Sequence, residues 1–192
     1  VKDVSALGNV HTLNLSYCEP ITDVSALGNV HTLNLHGCYD MVDVSALINT
    51  QVLDLSFCYD VNDVSALKNV HTLNLTHTSV KDVSALENVH TLILHCTLVT
   101  DVSSLKNVHT LNLFGTNIKD VSMLKNVYNL DLSHCKLITD VSALGNVHTL
   151  NLSECSSLVN VSALGKVHTL YLTNCKLITD VSALGNVVNL IR

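Results

Sequence analysis

Asp, Ser and His, the three residue types of a hydrolytic triad, return together along the chain: Asp3, Ser5 and His11, then Asp23, Ser25 and His31, and onward. A triad needs one nucleophile hydrogen bonded to one base that a third group orients. Many separate copies of Asp-Val-Ser and Val-His-Thr describe a lattice instead, so no catalytic residue is assigned and no enzyme is expected. Metal chemistry is the next candidate. His11, His31, His71, His90, His109, His148 and His168 share one position, with Gln51, Tyr128 and Val188 in the same place in other copies. No second ligand type with metal spacing accompanies them, and Gln and Tyr are not common zinc ligands. Crowded imidazoles disfavour the charged form, so a ladder of neutral, hydrogen-bonded rings is expected, with no metal and no cofactor. A row of aspartates suggests calcium, but the glycine frame of calcium-binding nonapeptide repeats is missing. Asn160, a neutral acceptor in place of one acid, points to capping of backbone N–H groups.

Cysteine is the remaining reactive type. Cys18, Cys38, Cys58, Cys135, Cys155 and Cys175 share an inward position, and Cys96 stands one place earlier in its unit. A uniform ladder offers no preferred pairing, and small buried thiols pack well as they are. Reduced structural cysteines are expected, and with them an intracellular setting. The sequons at Asn14, Asn74, Asn151 and Asn160 are then accidents of the repeat.

One repeating unit must position all of these residues. The phrase Asp-Val-Ser starts at Asp3, Asp23, Asp43, Asp63, Asp82, Asp101, Asp120, Asp140 and Asp180, with Asn160 completing the series; the steps are 20 residues, except for three of 19 between Asp63 and Asp120. In the first unit the apolar positions are Val4, Leu7, Val10, Leu13, Leu15, Cys18 and Ile21. The Leu-x-Leu part alternates with period two, which predicts a short strand with Leu13 and Leu15 inward and Asn14 outward. So short a unit cannot bury that many apolar groups alone, so it must stack on its neighbours. Stacking at ~4.8 Å per strand gives a parallel sheet and a solenoid about 45 Å long.

The three 19-residue steps carry a second change. Thr78, Thr97 and Thr116 replace the ladder cysteine, and each unit reaches its next apolar anchor, Val80, Val99 or Ile118, one residue sooner. A threonine hydroxyl is expected to close a shorter turn than a thiol can, and a local change of curvature is expected there. Gly8, Gly28, Gly145, Gly165 and Gly185 follow Val-Ser-Ala-Leu, yet Ile48, Lys68, Glu87, Lys106 and Lys125 hold the same place in other units. The asparagine that follows is therefore the expected left-handed turn residue.

These units resemble the leucine-rich repeat family over the entire chain, because "VHTLNLSYCEPI" and its copies meet the consensus LxxLxLxxN/CxL. The cysteine followed by "ITD" is similar to the cysteine-containing class, and "ITDVSAL" resembles internalin-type repeats. The short, nearly identical units look most like repeat proteins of large DNA viruses and some protists. The resemblance implies a single α/β-type solenoid over residues 1–192 of about nine coils. It would be an arc with a parallel sheet on the concave face and short 3-10 or helical turns on the convex face.

Bulk properties narrow the partners. A formal charge of −6 with ten basic residues scattered singly gives no footprint for nucleic acid or an anionic membrane. No apolar run approaches the ~20 residues of a membrane span. The chain starts and stops inside a coil, which leads us to expect flanking sequence or end-to-end association. A solenoid usually binds through the outward residues of its sheet and the loops that leave it. In the first three units Tyr17, Tyr39, Phe57 and Tyr59 gather at the strand exit with Glu19, Asp40 and Asp60, while His36, Phe114 and Tyr171 vary along the strands. Aromatics rimmed by acids are what an interface anchor looks like. The expected function is a non-catalytic protein-interaction module using Tyr17, His36, Tyr39, Asp40, Phe57, Tyr59, Asp60, Phe114 and Tyr171. A structural spacer or surface component, viral or otherwise, is the alternative.

Overall fold

The structure, a computed structural model, describes residues 3–192; Val1 and Lys2, which begin the opening phrase, lie outside the described residues. Ten strands of three residues form one parallel sheet in chain order: β1 (Thr12–Asn14), β2 (Thr32–Asn34), β3 (Val52–Asp54), β4 (Thr72–Asn74), β5 (Thr91–Ile93), β6 (Thr110–Asn112), β7 (Asn129–Asp131), β8 (Thr149–Asn151), β9 (Thr169–Tyr171) and β10 (Asn189–Ile191). The strands number one more than the nine coils counted from complete repeats. Each pairs in exact repeat register, Leu13 with Leu33 and Leu73 with Leu92, so the one-residue deletion does not slip the sheet.

Across the core from the sheet, each Val-Ser-Ala-Leu phrase turns back through a 3-10 helix such as Ser25–Leu27 or Ser65–Leu67; the third unit makes a plain turn there. The core between the two sides is a stack of identical columns. In the second coil Leu33, Leu35, Cys38, Met41, Val44 and Leu47 are all buried. Burial of each such aliphatic side chain is worth about 1.5–3 kcal/mol, a gain available only when a neighbouring coil covers it.

One column has a polar intruder. Where other coils place Val30, Val70 and Val89, the third coil places Thr50, fully buried, whose Oγ1 has no hydrogen-bond partner. A buried hydroxyl left unpaired costs about 1–3 kcal/mol. Thr50→Val is therefore expected to raise the unfolding free energy by about 1–2 kcal/mol, read from the urea midpoint at unchanged slope. A lower midpoint would show that Thr50 has a partner after all.

The aspartates do cap backbone amides. Oδ1 of Asp23 accepts from the Ser25 N–H at 2.9 Å, and Asn160 does the same for Ser162 at 2.9 Å. The acceptor sits one residue ahead of the helix cap proper, which is the valine, so the motif is an Asx turn feeding a 3-10 helix. The Ser25 amide, then its hydroxyl, holds the Asp23 carboxyl below the usual range, and the like charge of Asp43 opposes this only weakly.

The expected turn residue is not where the sequence put it. Gly28 and Lys68 both have right-handed backbone at φ −59, which is why glycine is optional there, and no asparagine after them has positive φ. A Cβ on Gly28 would stand 2.5 Å from the Ala46 carbonyl oxygen, so glycine serves close stacking of coils. Left-handed backbone occurs instead at the strand exit of every complete coil: Tyr17, Gly37, Phe57, His77, Cys96, Gly115, His134, Glu154 and Asn174. The asparagine rule failed because the turn that reverses the chain hand lies between strand and ladder cysteine, not before the strand.

The two loop classes differ in where hydrogen bonds go. The thiols of Cys58 and Cys155 donate to the carbonyls of Leu35 and Leu132 in the preceding coil, both at 3.2 Å. The hydroxyls of Thr78 and Thr97 donate within their own coil, to Leu75 and Leu94 at 2.8 and 2.9 Å. After cysteine the chain closes another turn, with the Val61 amide donating to the Cys58 carbonyl. After threonine it skips that turn, and the next amide reaches across instead: Ser79 to the Val61 carbonyl and Leu98 to the Val80 carbonyl. The missing residue and the exchanged side chain are one structural alternative, as the sequence suggested. The inter-coil link passes from a thiol to a backbone amide.

Candidate functional site

At the strand exit the side chains form a continuous strip of rings. Tyr17 meets His36 edge-on at 4.8 Å between centroids, His36 meets Phe57 at 5.1 Å, and Phe57 meets His77 at 4.8 Å. The strip continues through His95 at 5.6 Å, Phe114 at 4.2 Å and His134 at 4.6 Å. Glu154 ends it, with its Oε2 3.4 Å from His134 Nδ1. Ring pairs at these distances add about 0.5–1.5 kcal/mol each beyond their area.

Two adjacent positions share the task of supplying the ring. When the left-handed residue is the ring, as at Tyr17, Phe57, His77 and His134, the residue before it is small: Ser16, Ser56, Thr76 or Ser133. When the ring comes first, as at His36, His95 and Phe114, the left-handed residue is Gly37, Cys96 or Gly115. The reason is visible at Gly37, where φ is +70 and a Cβ would stand 2.9 Å from Cδ1 of Tyr17. Each of these seven coils therefore carries one ring, and at Tyr17, Phe57, His77 and His134 the left-handed conformation that the exits share (a cost of about 1–2 kcal/mol for a non-glycine residue) falls on the ring residue itself. His36 is held on both sides, Nε2 against the Tyr17 hydroxyl at 2.9 Å and Nδ1 against Ser56 Oγ at 2.6 Å.

Of the residues expected from sequence, Tyr17, His36, Phe57 and Phe114 lie in this strip. Tyr39 and Tyr59 stack beside it at 5.5 Å, joined to it by the Phe57–Tyr59 contact at 6.2 Å, and Asp40 and Asp60 are exposed next to them. Tyr171 does not join: it is the last residue of β9, paired with Ile191, beyond the Glu154 end of the strip. His77, His95 and His134 complete the strip, and the signal for them was the alternation of a ring and a small residue over two positions. The Asn and Asp residues that end the strands, which vary and face outward, turn out to be committed. Oδ1 of Asn34, Asn74, Asp131 and Asn151 accepts the amide two residues on, so this column locks the exit turn.

A second ring ladder runs along the strand entry. His71, His90, His109, Tyr128, His148 and His168 stack face to face at 4.4–4.9 Å, and His11 stacks on His31 at 4.6 Å, with Gln51 between the two runs. Nδ1 of His109 and His148 lies 3.2 Å from the neighbouring Thr110 and Thr149 hydroxyls, not near the Asp-Val-Ser phrases. Those serines lie on the opposite side of each coil, so the triad composition never assembles. Desolvation, then the charges of His109 and His71, holds His90 below its ordinary value of 6.5. A base with a lowered folded-state pKa takes up protons more readily when unfolded, so its stabilisation is full above pH 6.5 and falls as pH drops below it. Thermal melts are expected to shift downward between pH 7.5 and pH 5. A second loss is expected below pH 3.8, where the amide-bonded aspartates protonate. A melting temperature constant from pH 7.5 to pH 5 would contradict the neutral stack.

Comparisons with known proteins follow the geometry. No family model matches the chain, and a search of curated proteins finds no match. Solved structures do match. The internalin InlF of Listeria monocytogenes aligns with TM-score 0.68 at 20% identity, over 97% of this chain and 68% of that one. Internalin C2 of the same organism aligns with TM-score 0.66 at 24% identity, over 97% and 80%. The fold is a leucine-rich repeat solenoid. A third structure of that fold, the functional domain of InlJ from Listeria monocytogenes, aligns with TM-score 0.61 at 20% identity over 97% of this chain and 54% of that one, and is described as including a cysteine ladder. The solenoid here has such a ladder in two runs, Cys18 to Cys58 and Cys135 to Cys175, separated by the three threonine coils. Burial pushes the thiols of Cys58 and Cys155 up to about 12, so these are unreactive packing groups. The matches give no support to a likeness with viral or protist repeat proteins.

Proposed function

We propose that this solenoid is a protein-interaction module whose partner docks on the ring strip from Tyr17 to His134 and on the adjoining Tyr39–Tyr59 stack. One observation carries the reading: seven coils each deliver one ring to the same line, four of them from a left-handed residue, although no ring there is needed for the core. Aromatic groups with small conformational entropy are the side chains that dominate binding surfaces. Asp40 and Asp60 at the rim favour a partner with basic groups there. The fold supports the reading, since solenoids offer extended surfaces for binding. The unreactive thiols fit a reducing compartment.

A structural spacer is the second reading, favoured by the Asn column, whose side-chain oxygens are spent on the exit turns, and by the His column, several of whose Nδ1 atoms meet threonine hydroxyls. One matched structure, titled a TLR13–ssRNA13 complex, covers 89% of this chain and 29% of that one at 22% identity and TM-score 0.65. Here the charge of −6 speaks against a nucleic-acid ligand. Capture from a lysate by the wild type, compared with a Phe57→Gly and Phe114→Ser double variant, separates the readings. The interaction module predicts a captured protein that the double variant loses. Equal capture by both, or capture of RNA only, would overturn it.

A further inference from the structure

Cys96 is the thiol that the ladder does not use. Cys38, Cys58, Cys135, Cys155 and Cys175 each donate to a carbonyl of the preceding coil, whereas Cys96 occupies the left-handed exit position at φ +53 and makes no such bond. Its neighbours are two imidazoles, His95 from its own coil and His77 from the coil before. One ligand atom from each of His77, His95 and Cys96 lies within 4.8 Å of the others, and all three side chains are half-buried. From this we infer that His77, His95 and Cys96 form a binding site for one thiophilic d10 cation of the zinc type, with a fourth position open to water or to a partner's side chain.

The physical case rests on ligand type, distance and room. Two imidazole nitrogens and one thiolate are a set that selects zinc over calcium or magnesium. Tetrahedral zinc, with bonds of about 2.0 Å to nitrogen and 2.3 Å to sulfur, sets its ligand atoms roughly 3.5 Å apart. Side-chain rotation must close the gap from 4.8 Å, because hydrogen bonds hold the backbone in place. The His77 amide donates to the His95 carbonyl at 3.0 Å, and the Cys96 amide to the Phe114 carbonyl at 3.0 Å. Gly115 keeps the next coil clear of the sulfur: a Cβ there would come within 3.2 Å of Cys96 Sγ. Burial, then the nearby His77, holds His95 below its ordinary value, so it offers a neutral ring, while the Asp131 carboxylate favours positive charge beside it. Burial raises the Cys96 thiol, so the ion must displace that proton to solvent as the sulfur–metal bond forms. The stacked ladder at His71, His90 and His109 offers imidazoles but no thiol.

Cobalt(II) is the probe, because a thiolate–cobalt bond gives a near-ultraviolet charge-transfer band that imidazole alone does not. Titration of the chelator-treated, reduced full chain is expected to reach an endpoint at one cobalt per chain, with zinc displacing the cobalt and abolishing the band. Cys96→Ser is expected to lose the band, and His77→Ala to weaken cobalt binding by tenfold or more, while Cys155→Ser and His109→Ala keep wild-type titrations. Circular dichroism melts without metal confirm that the variants are folded. No band in the wild type, or a band that survives Cys96→Ser, would overturn the site. Because the site is read out without any partner, it stands or falls apart from the docking surface.

Discussion

Leu113→Ala is expected to lower the unfolding free energy by about 3–5 kcal/mol, the cost of a large cavity in a well-packed core. Leu113 is fully buried as the second inward leucine of its coil, and it sits at the seam between the two loop classes. Its carbonyl takes the Thr116 hydroxyl at 2.8 Å from one class and the Cys135 thiol at 3.1 Å from the other. In a solenoid each coil contacts only its neighbours, so a weakened central rung loosens the coupling between the two ends. Urea unfolding should therefore show a lower midpoint and a broader or two-step transition. The control is Leu190→Ala in β10, where the side chain is 36% exposed and the loss should stay below about 1 kcal/mol. Equal costs at both positions would mean that stability does not accumulate coil by coil.

The second large effect is on binding. Phe57→Gly with Phe114→Ser is expected to weaken partner binding by at least about 30-fold, which corresponds to about 2 kcal/mol, the scale of one lost aromatic anchor. Both replacements imitate what other coils already carry: glycine at Gly37 and Gly115, serine at Ser133. Phe57→Gly also releases a left-handed backbone at φ 61, which offsets part of the lost ring contacts. Folding should survive, and isothermal titration on the captured partner reads the change directly. A binding constant unchanged by the pair would leave the ring strip without a role in recognition.

The period, the strand positions, the inward leucines and the aspartate turns were legible in the sequence, because a repeat turns each weak local signal into ten copies of itself. So was the coupling of Thr78, Thr97 and Thr116 to the shorter loop, since deletion and substitution travel together. The left-handed position was not legible. Tyr17 and Phe57 are poor left-handed residues that supply the ring of their coils, whereas Glu154 holds the same backbone without a ring and reaches His134 instead. Nor could the sequence tell that the outward Asn34 and Asn74 spend their oxygens on their own exit turns. Where that column holds Asn or Asp its oxygen is committed to the exit turn, and only Ile93 and Tyr171 among the inner strands leave that role. Tyr171, expected in the binding surface as a varying strand residue, does stand in the strand column, apart from the exit rings.

Side-chain oxidative footprinting with and without the captured partner tests the central claim most directly. The two ring ladders stand at opposite ends of the strands, about 17 Å apart for the five residue steps from His90 to His95. The account predicts protection of Tyr17, Phe57, Tyr59 and Phe114 on binding, with the entry ladder at His90, His109 and Tyr128 oxidised as fast as in the free chain. Protection of the entry ladder with an unprotected exit strip would contradict it.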